Sequence, residues 1–213
     1  MRILVFSDSH LTEKFEEKKF NFLKRVISKS DRVIINGDFW DGQLTTFDKF
    51  ISSPWKKLFP LLKSRKTVYL YGNHDLRKFS DHRTNLFSAT QDHQFKLKVG
   101  QNILIFEHGN RILPLIDEVL LPRWMTKYTT IIAGFLLTKI SPLQIILKKA
   151  DQRMKDRIKK IAQKNEIYIC GHSHYVGFDL ENGYINDGSI ENGVAQYLLI
   201  ENGKIIPKQE RYA

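Results

Sequence analysis

The stretch RILVFSDSH, residues 2–10, joins a short apolar run typical of a buried strand, Arg2–Ser7, to an acid and an imidazole, Asp8 and His10. The same arrangement recurs downstream. Phe15–Lys29 places Phe15, Phe22, Leu23, Val26 and Ile27 on one helical face, and Arg32–Asn36 then reads as a second strand, running into Gly37-Asp38-Phe39-Trp40-Asp41. Thr46–Ser64 has a helical pattern that Pro54 and Pro60 split into two pieces. Thr67–Tyr71 is a third strand, and Gly72-Asn73-His74-Asp75 follows it. A βαβαβ order of this kind implies a largely parallel sheet with helices packed on it.

Beyond residue 90 the pattern changes. Gln94–Val99 and Asn102–Phe106 flank Gly100-Gln101 as a hairpin, and His108 follows the second of these strands. Glu166–Cys170 leads into Gly171-His172-Ser173-His174, after which Gly177–Leu180, Tyr184–Asn186, Ala195–Glu201 and Lys204–Pro207 are short strands with turns at Asn182-Gly183 and Asn202-Gly203. Two sheets face to face with helices outside fit this better than one open sheet.

At 213 residues, 42% hydrophobic, the chain is long enough for one sizeable core, and the expectation is a single domain over residues 1–213. Nothing in it reads as disordered, fibrous or repetitive. Its lone cysteine, Cys170, excludes an intramolecular disulfide, reads as a small buried hydrophobe and suits a reducing cytosol. The first apolar run is too short for a signal peptide. Localisation is therefore expected to be cytoplasmic. The net charge of +11 is concentrated: residues 111–164 carry 12 Lys/Arg against 4 Asp/Glu. An anionic partner for that segment follows.

Five motifs thus lie at strand ends, the edge of an α/β sheet where ligands bind. Singly, four of them have a plain structural explanation, as a turn, a cap or a satisfied buried histidine; only Gly171-His172-Ser173-His174 points to a metal by itself, since two histidines at that spacing can both reach one cluster from a loop. Together they offer carboxylate, imidazole and amide oxygen without thiolate, a donor set for Mn²⁺ first, and for Fe, Zn or Mg as alternatives. The set resembles the calcineurin-like metallophosphoesterases, whose pattern is D-x-H, G-D-x-x-D, G-N-H-D/E, H and G-H-x-H. The resemblance implies a four-layer αββα sandwich and two divalent ions that activate water for attack on phosphorus. Asp8, His10 and His174 would hold the first ion, Asn73, His108 and His172 the second, and Asp38 would bridge them. His74 would assist the leaving group as a non-ligand, with Asp41 orienting it; Asp75 is read as capping the following turn. Arg77, Lys78 and Arg111 are candidates to meet substrate phosphate, whereas His82 and His93 read as surface residues.

The segment of about residues 111–164 is expected to be a helical lid. Leu143, Ile146, Leu147, Ala150, Met154, Ile158 and Ile161 form its apolar stripe among many Lys/Arg. By position and character it resembles the lid of UDP-2,3-diacylglucosamine hydrolases, which implies an acylated, anionic substrate and a phosphodiester or pyrophosphate bond. Tyr128–Leu147 is nearly apolar, yet its uninterrupted run is short of the ~20 residues a spanning helix needs. It is expected either to pack on the domain or to dock peripherally at an anionic membrane face. The alternative is a small nucleotide or generic phosphodiesterase, or a nuclease, with the lid as a packing or oligomer interface. Nucleic acid fits less well, because the charge lies with apolar runs and not with interleaved aromatics. Asn186-Asp187-Gly188-Ser189 looks like the Asn-Pro-Gly-Ser turn of small phosphodiesterases. A metal-dependent scaffold would need neither His74 nor Asp41.

Overall fold

A computed structural model describes residues 1–114 and 141–212. The first sheet has seven strands. β1 (Arg2–Phe6), β2 (Arg32–Asn36), β3 (Val68–Leu70) and β4 (Thr90–Asp92) pair in parallel in that order. On the other side of β1 the antiparallel β11 (Val194–Glu201) pairs with both β10 (Ile190–Glu191) and β12 (Lys204–Arg211). The second sheet has five strands in the order β5 (Phe95–Val99), β6 (Asn102–Phe106), β7 (Glu166–Cys170), β9 (Tyr184–Asn186) and β8 (Gly177–Asp179). Its centre, β6-β7-β9, is parallel, and its two outer pairs are antiparallel.

The sheets pack face to face. Ile3, Val5, Ile34, Val68 and Leu70 of the first meet Leu104, Phe106, Ile167, Ile169 and Ile185 of the second. Alternate residues point the other way, as a period of two requires. Leu4, Phe6, Val33, Ile35 and Tyr69 pack under α1 (Glu17–Ser28), α2 (Phe47–Ser52) and α3 (Phe59–Ser64). On the outer face of the second sheet, Ile105, Tyr168, Cys170 and Tyr184 pack under α4 (Ser141–Ile161) through Met154 and Ile158. Helices therefore cover the outer faces of two mixed sheets.

Several boundaries differ from expectation for identifiable reasons. Phe15 precedes α1, is 37% exposed, and clusters with Phe20 and Trp55 at ring centroids 5.2 and 5.1 Å. Pro54 opens a 3₁₀ turn and Pro60 sits in the first turn of α3, where a missing N–H costs nothing. β12 continues past Pro207 to Arg211 because, among the described residues, it is an edge strand paired with β11 alone, so the Pro nitrogen need not donate. At Asn202-Gly203 both residues have positive φ, 51° and 77°, as a two-residue hairpin turn requires.

The lid expectation is met only in part by the described residues. α4 is a 21-residue helix, but of the expected stripe only Met154 and Ile158 are buried; Ile146 and Ile161 are 58% and 53% exposed. Residues 115–140, most of the expected lid and the apolar heart of Tyr128–Leu147, lie outside the described residues, as does the side chain of Leu143. No helix among the described residues is long and apolar enough to cross a membrane.

Candidate metal centre

All five motifs converge on one rim of the sandwich, at the C-terminal ends of β1, β2 and β3 in one sheet and β6 and β7 in the other. The loops are fastened to each other. Ser9 and His10 donate their backbone N–H groups to the Asp38 carbonyl at 3.0 and 3.1 Å, and Gly171 donates to the His108 carbonyl at 2.9 Å. Lys19, buried on α1, donates to the Ser9 carbonyl at 2.9 Å.

Five of the expected ligands, Asp8, His10, Asp38, His172 and His174, have φ between 44° and 68°. Non-glycine residues avoid this left-handed region, and strain there persists only where surrounding structure imposes it. The neighbouring glycines show the same crowding. A Cβ at Gly72 would collide with the Asp38 carboxylate, and one at Gly171 with Ser7 and the Asp8 carboxylate. Strain and glycine together aim carboxylates and imidazoles into a single space.

Within that space, Asp8 Oδ1 lies 3.2 Å from His174 Nε2, 3.8 Å from His10 Nε2 and 3.9 Å from His108 Nε2. Asp38 Oδ2 lies 3.1 Å from His108 Nε2 and 3.9 Å from His10 Nε2, so it faces both halves of the group. The Asn73 amide oxygen is 3.0 Å from both His108 Nε2 and His172 Nδ1. His10 Nε2 and His174 Nε2 face each other at 3.3 Å. Asp8 Oδ1 is fully buried and accepts no hydrogen bond. A buried carboxylate oxygen without a donor, ringed by imidazole nitrogens, fits a divalent cation. Asp8/His10/His174 and Asp8/Asp38/His108 each bring their donor atoms within 4.8 Å of one another.

The far nitrogen of each imidazole is also engaged. His108 Nδ1 lies 3.0 Å from the Asn36 carbonyl, and His172 Nε2 lies 3.0 Å from that of Leu113. His174 Nδ1 lies 2.9 Å from Glu191, and His10 Nδ1 lies 3.5 Å from Asp41 Oδ2. Asp41 Oδ2 is also 3.1 Å from His74 Nδ1, while its Oδ1 accepts the N–H groups of Gln43 and Leu44 at 2.9 and 3.0 Å. Asp41 therefore serves two histidines, where the sequence had paired it with one.

Charge balance holds the group together. Burial pushes Asp38 and Asp41 up, but His108 for the first and His74 for the second outweigh it, and both carboxyls sit well below their usual range. Burial pushes His108 and His174 down, yet the facing carboxylates win and raise both to about 10. For His74 burial again acts downward, and Asp38 and Asp41 raise it above an ordinary imidazole. His172, buried beside charged His108, falls to about 3. The carboxylates demand positive charge; imidazolium protons are one supply and divalent cations the other.

Three acidic residues play parts the sequence did not disclose. Asp75 caps no following turn: it accepts the N–H groups of Gly72, Asp38 and Phe39 at 2.6, 3.1 and 2.8 Å, bracing two motif loops. Asp187, in the turn after β9, accepts from Ser7 Oγ at 2.6 Å, and that hydroxyl also lies 2.5 Å from Asp8 Oδ2. Asp151, buried on α4, accepts from Ser173, Asn186 and Tyr184 and so ties that helix to the His172–His174 loop. Glu191, a further acidic residue that no sequence motif marks, lies against His174. Arg77, Lys78 and Arg111 are exposed, and no contact joins them to the centre among the described residues.

The profile of the calcineurin-like phosphoesterase superfamily domain matches residues 1–204. Among solved structures, an archaeal phosphodiesterase is 15% identical with a TM-score of 0.53, covering 99% of each chain. The phosphoesterase Yfce from E. coli is 15% identical with a TM-score of 0.51, covering 100% of each chain. A Vps29 from Entamoeba histolytica, solved with zinc, is 14% identical with a TM-score of 0.47, also over 100% of each chain. At these identities the likeness concerns the fold. No protein with a curated description matches the sequence.

Proposed function

This chain belongs to the calcineurin-like phosphoesterase superfamily, and we propose that it hydrolyses a small phosphodiester, as a metal-dependent phosphoesterase with a dinuclear centre. One observation carries the reading: two buried carboxylates, Asp8 and Asp38, share a space with nitrogens of three imidazoles, His10, His108 and His174, and a further carboxylate–imidazole pair, Asp41–His74, stands beside them. In this reading Asp8, His10 and His174 hold one ion, Asn73, His108 and His172 the other, and Asp38 both. Bound divalent ions would supply Lewis-acid charge to activate water and polarise the phosphoryl group.

The remaining work falls to the chain itself. A diester releases an alkoxide, which needs a proton. His74 is raised above an ordinary imidazole by Asp38 and Asp41 against the effect of burial, and its ring stands 4.5 Å from that of His10. It is the group placed to give up that proton, and Asp41 keeps its Nδ1 side fixed. That an archaeal phosphodiesterase shares this fold over nearly its whole length supports the diester assignment.

A second reading, an acylated anionic substrate such as a lipid-linked pyrophosphate, draws on the exposed Lys148, Lys149, Arg153, Lys159 and Lys160 of α4. The apolar part of that proposal, with its membrane contact, lies in residues 115–140. Hydrolysis with Mn²⁺ of a bis-aryl phosphodiester, cyclic nucleotides, single-stranded DNA and UDP-diacylglucosamine separates the two. Turnover of the small diester, lost on chelation and restored by metal, is the expected outcome. Turnover of the acylated substrate alone would favour the second reading. Undiminished activity with metal analysis showing none bound would end both.

A further inference from the structure

Resting on the dinuclear reading above, we infer that Glu191 is a positioning residue for the first metal site, holding His174 so that its Nε2 faces Asp8. Glu191 is the last residue of β10, a two-residue strand paired with β11. It comes from a different sheet from the loop carrying His174, which follows β7 of the second sheet. Its Oε2 lies 2.9 Å from His174 Nδ1, and on the far side of the same ring Nε2 lies 3.2 Å from Asp8 Oδ1 and 3.3 Å from His10 Nε2. A ring pinned at one nitrogen by a carboxylate presents the other in a fixed direction and as the unprotonated, ligating atom.

His174 needs this support more than the other histidines do. It shares its positive φ with His10 and His172, but its side chain is 24% exposed, against 10% for His10 and 0% for His108. His108 is confined on all sides by the sandwich, and His108 and His172 lean on carbonyls of the chain at 3.0 Å. His10 and His174, the two histidines expected at the first site, both lean on carboxylates, Asp41 and Glu191. Carboxylate backing thus marks one half of the centre and carbonyl backing the other. Glu191 closes the half that faces the β10–β11 hairpin.

The test is titration of Mn²⁺ into the full chain, with free Mn²⁺ followed by electron paramagnetic resonance. Glu191→Ala should weaken one of two Mn²⁺ equivalents by about 10–100-fold and leave the other unchanged. Glu191→Gln, whose amide oxygen can still accept from Nδ1–H, should restore most of that loss. The metal-free Ala variant should still unfold cooperatively, with Tm lowered by loss of the Glu191–His174 pair, and an undiminished second Mn²⁺ equivalent then separates positioning from a loss of fold. Wild-type affinity for both equivalents in Glu191→Ala would overturn the inference, and so would equal weakening of both, or a Gln variant as weak as Ala. Failure of the unaltered protein to bind Mn²⁺ would instead overturn the dinuclear reading on which the inference stands.

Discussion

Gly72→Ala should injure the centre without replacing a single expected ligand. Gly72 shows no positive φ, so alanine is acceptable to its backbone, and the whole penalty is contact. The new Cβ would sit 2.8 Å from Asp38 Cγ and 2.8 Å from Asp38 N, and would collide with Oδ1. Carbon atoms in ordinary contact are about 3.5–4.0 Å apart, so the carboxylate must retreat by roughly 0.7 Å or more. That carboxylate also accepts the N–H of His74 at 2.9 Å and faces His108 at 3.1 Å, so it has little freedom to yield. Overpacking of this kind costs about 1–3 kcal/mol, and at 2–4 °C per kcal/mol for a chain of this size Tm should fall by roughly 2–12 °C. A displacement approaching 1 Å at the reacting centre should cost on the order of 10²-fold in rate. Gly203→Ala is the control: it has φ of 77° and nothing within 4 Å of a built Cβ, so its strain falls far from the centre. Both variants would be assayed for kcat/KM on a bis-aryl phosphodiester with excess Mn²⁺, for bound metal, and for Tm. If Gly72→Ala binds two metals and works within about 3-fold of the unaltered enzyme, the packing of Asp38 is not critical, and the reasoning fails. It fails equally if Gly203→Ala loses as much activity.

Asp38→Asn should lose both ions, since one oxygen faces His10 and His108; retention of both with a near-normal rate, by metal analysis and steady-state kinetics, would refute a shared role. His74→Ala should lose several orders of magnitude in rate and keep its metal. The loss in Asp41→Asn should be sub-additive with it, because the two act as a unit, although the further contact with His10 should also weaken metal binding in the Asp41 variant. A double mutant with fully multiplicative losses would break the pair. For metal-free protein, His108 and His174 stand at about 10 against 6.5 unfolded, so the stability they contribute is complete below pH 6.5 and lost as pH rises through about 10. Tm by differential scanning calorimetry should therefore fall between pH 7 and 10, and metal addition, which displaces those protons, should reduce the slope; a Tm that is flat or rises with pH in chelated protein would contradict the charge assignment. Asp151→Ala should lower Tm, as it strips an acceptor from Ser173, Asn186 and Tyr184, and an unchanged Tm would show that α4 is not anchored there.

The chain declared its parallel strands, its prolines and its hairpin turns locally. A buried strand must be apolar, a Pro must sit where no N–H is needed, and Asn-Gly accepts positive φ. It also declared the ligand types, because carboxylate, imidazole and amide oxygen at strand ends are chemically legible wherever they occur. Partnership was not legible. Glu191 belongs to no motif, and its role shows only when β10 joins the first sheet and meets a loop of the second 17 residues earlier in sequence. Asp75 reads as a local cap, yet two of its three donors are Asp38 and Phe39, brought across from the neighbouring strand end. Asp187 and Ser7 are 180 positions apart and touch only because β9 and β1 end at the same rim. Residue type is a property of the chain, but which oxygen faces which nitrogen depends on how two sheets are stacked, and only the folded molecule sets that.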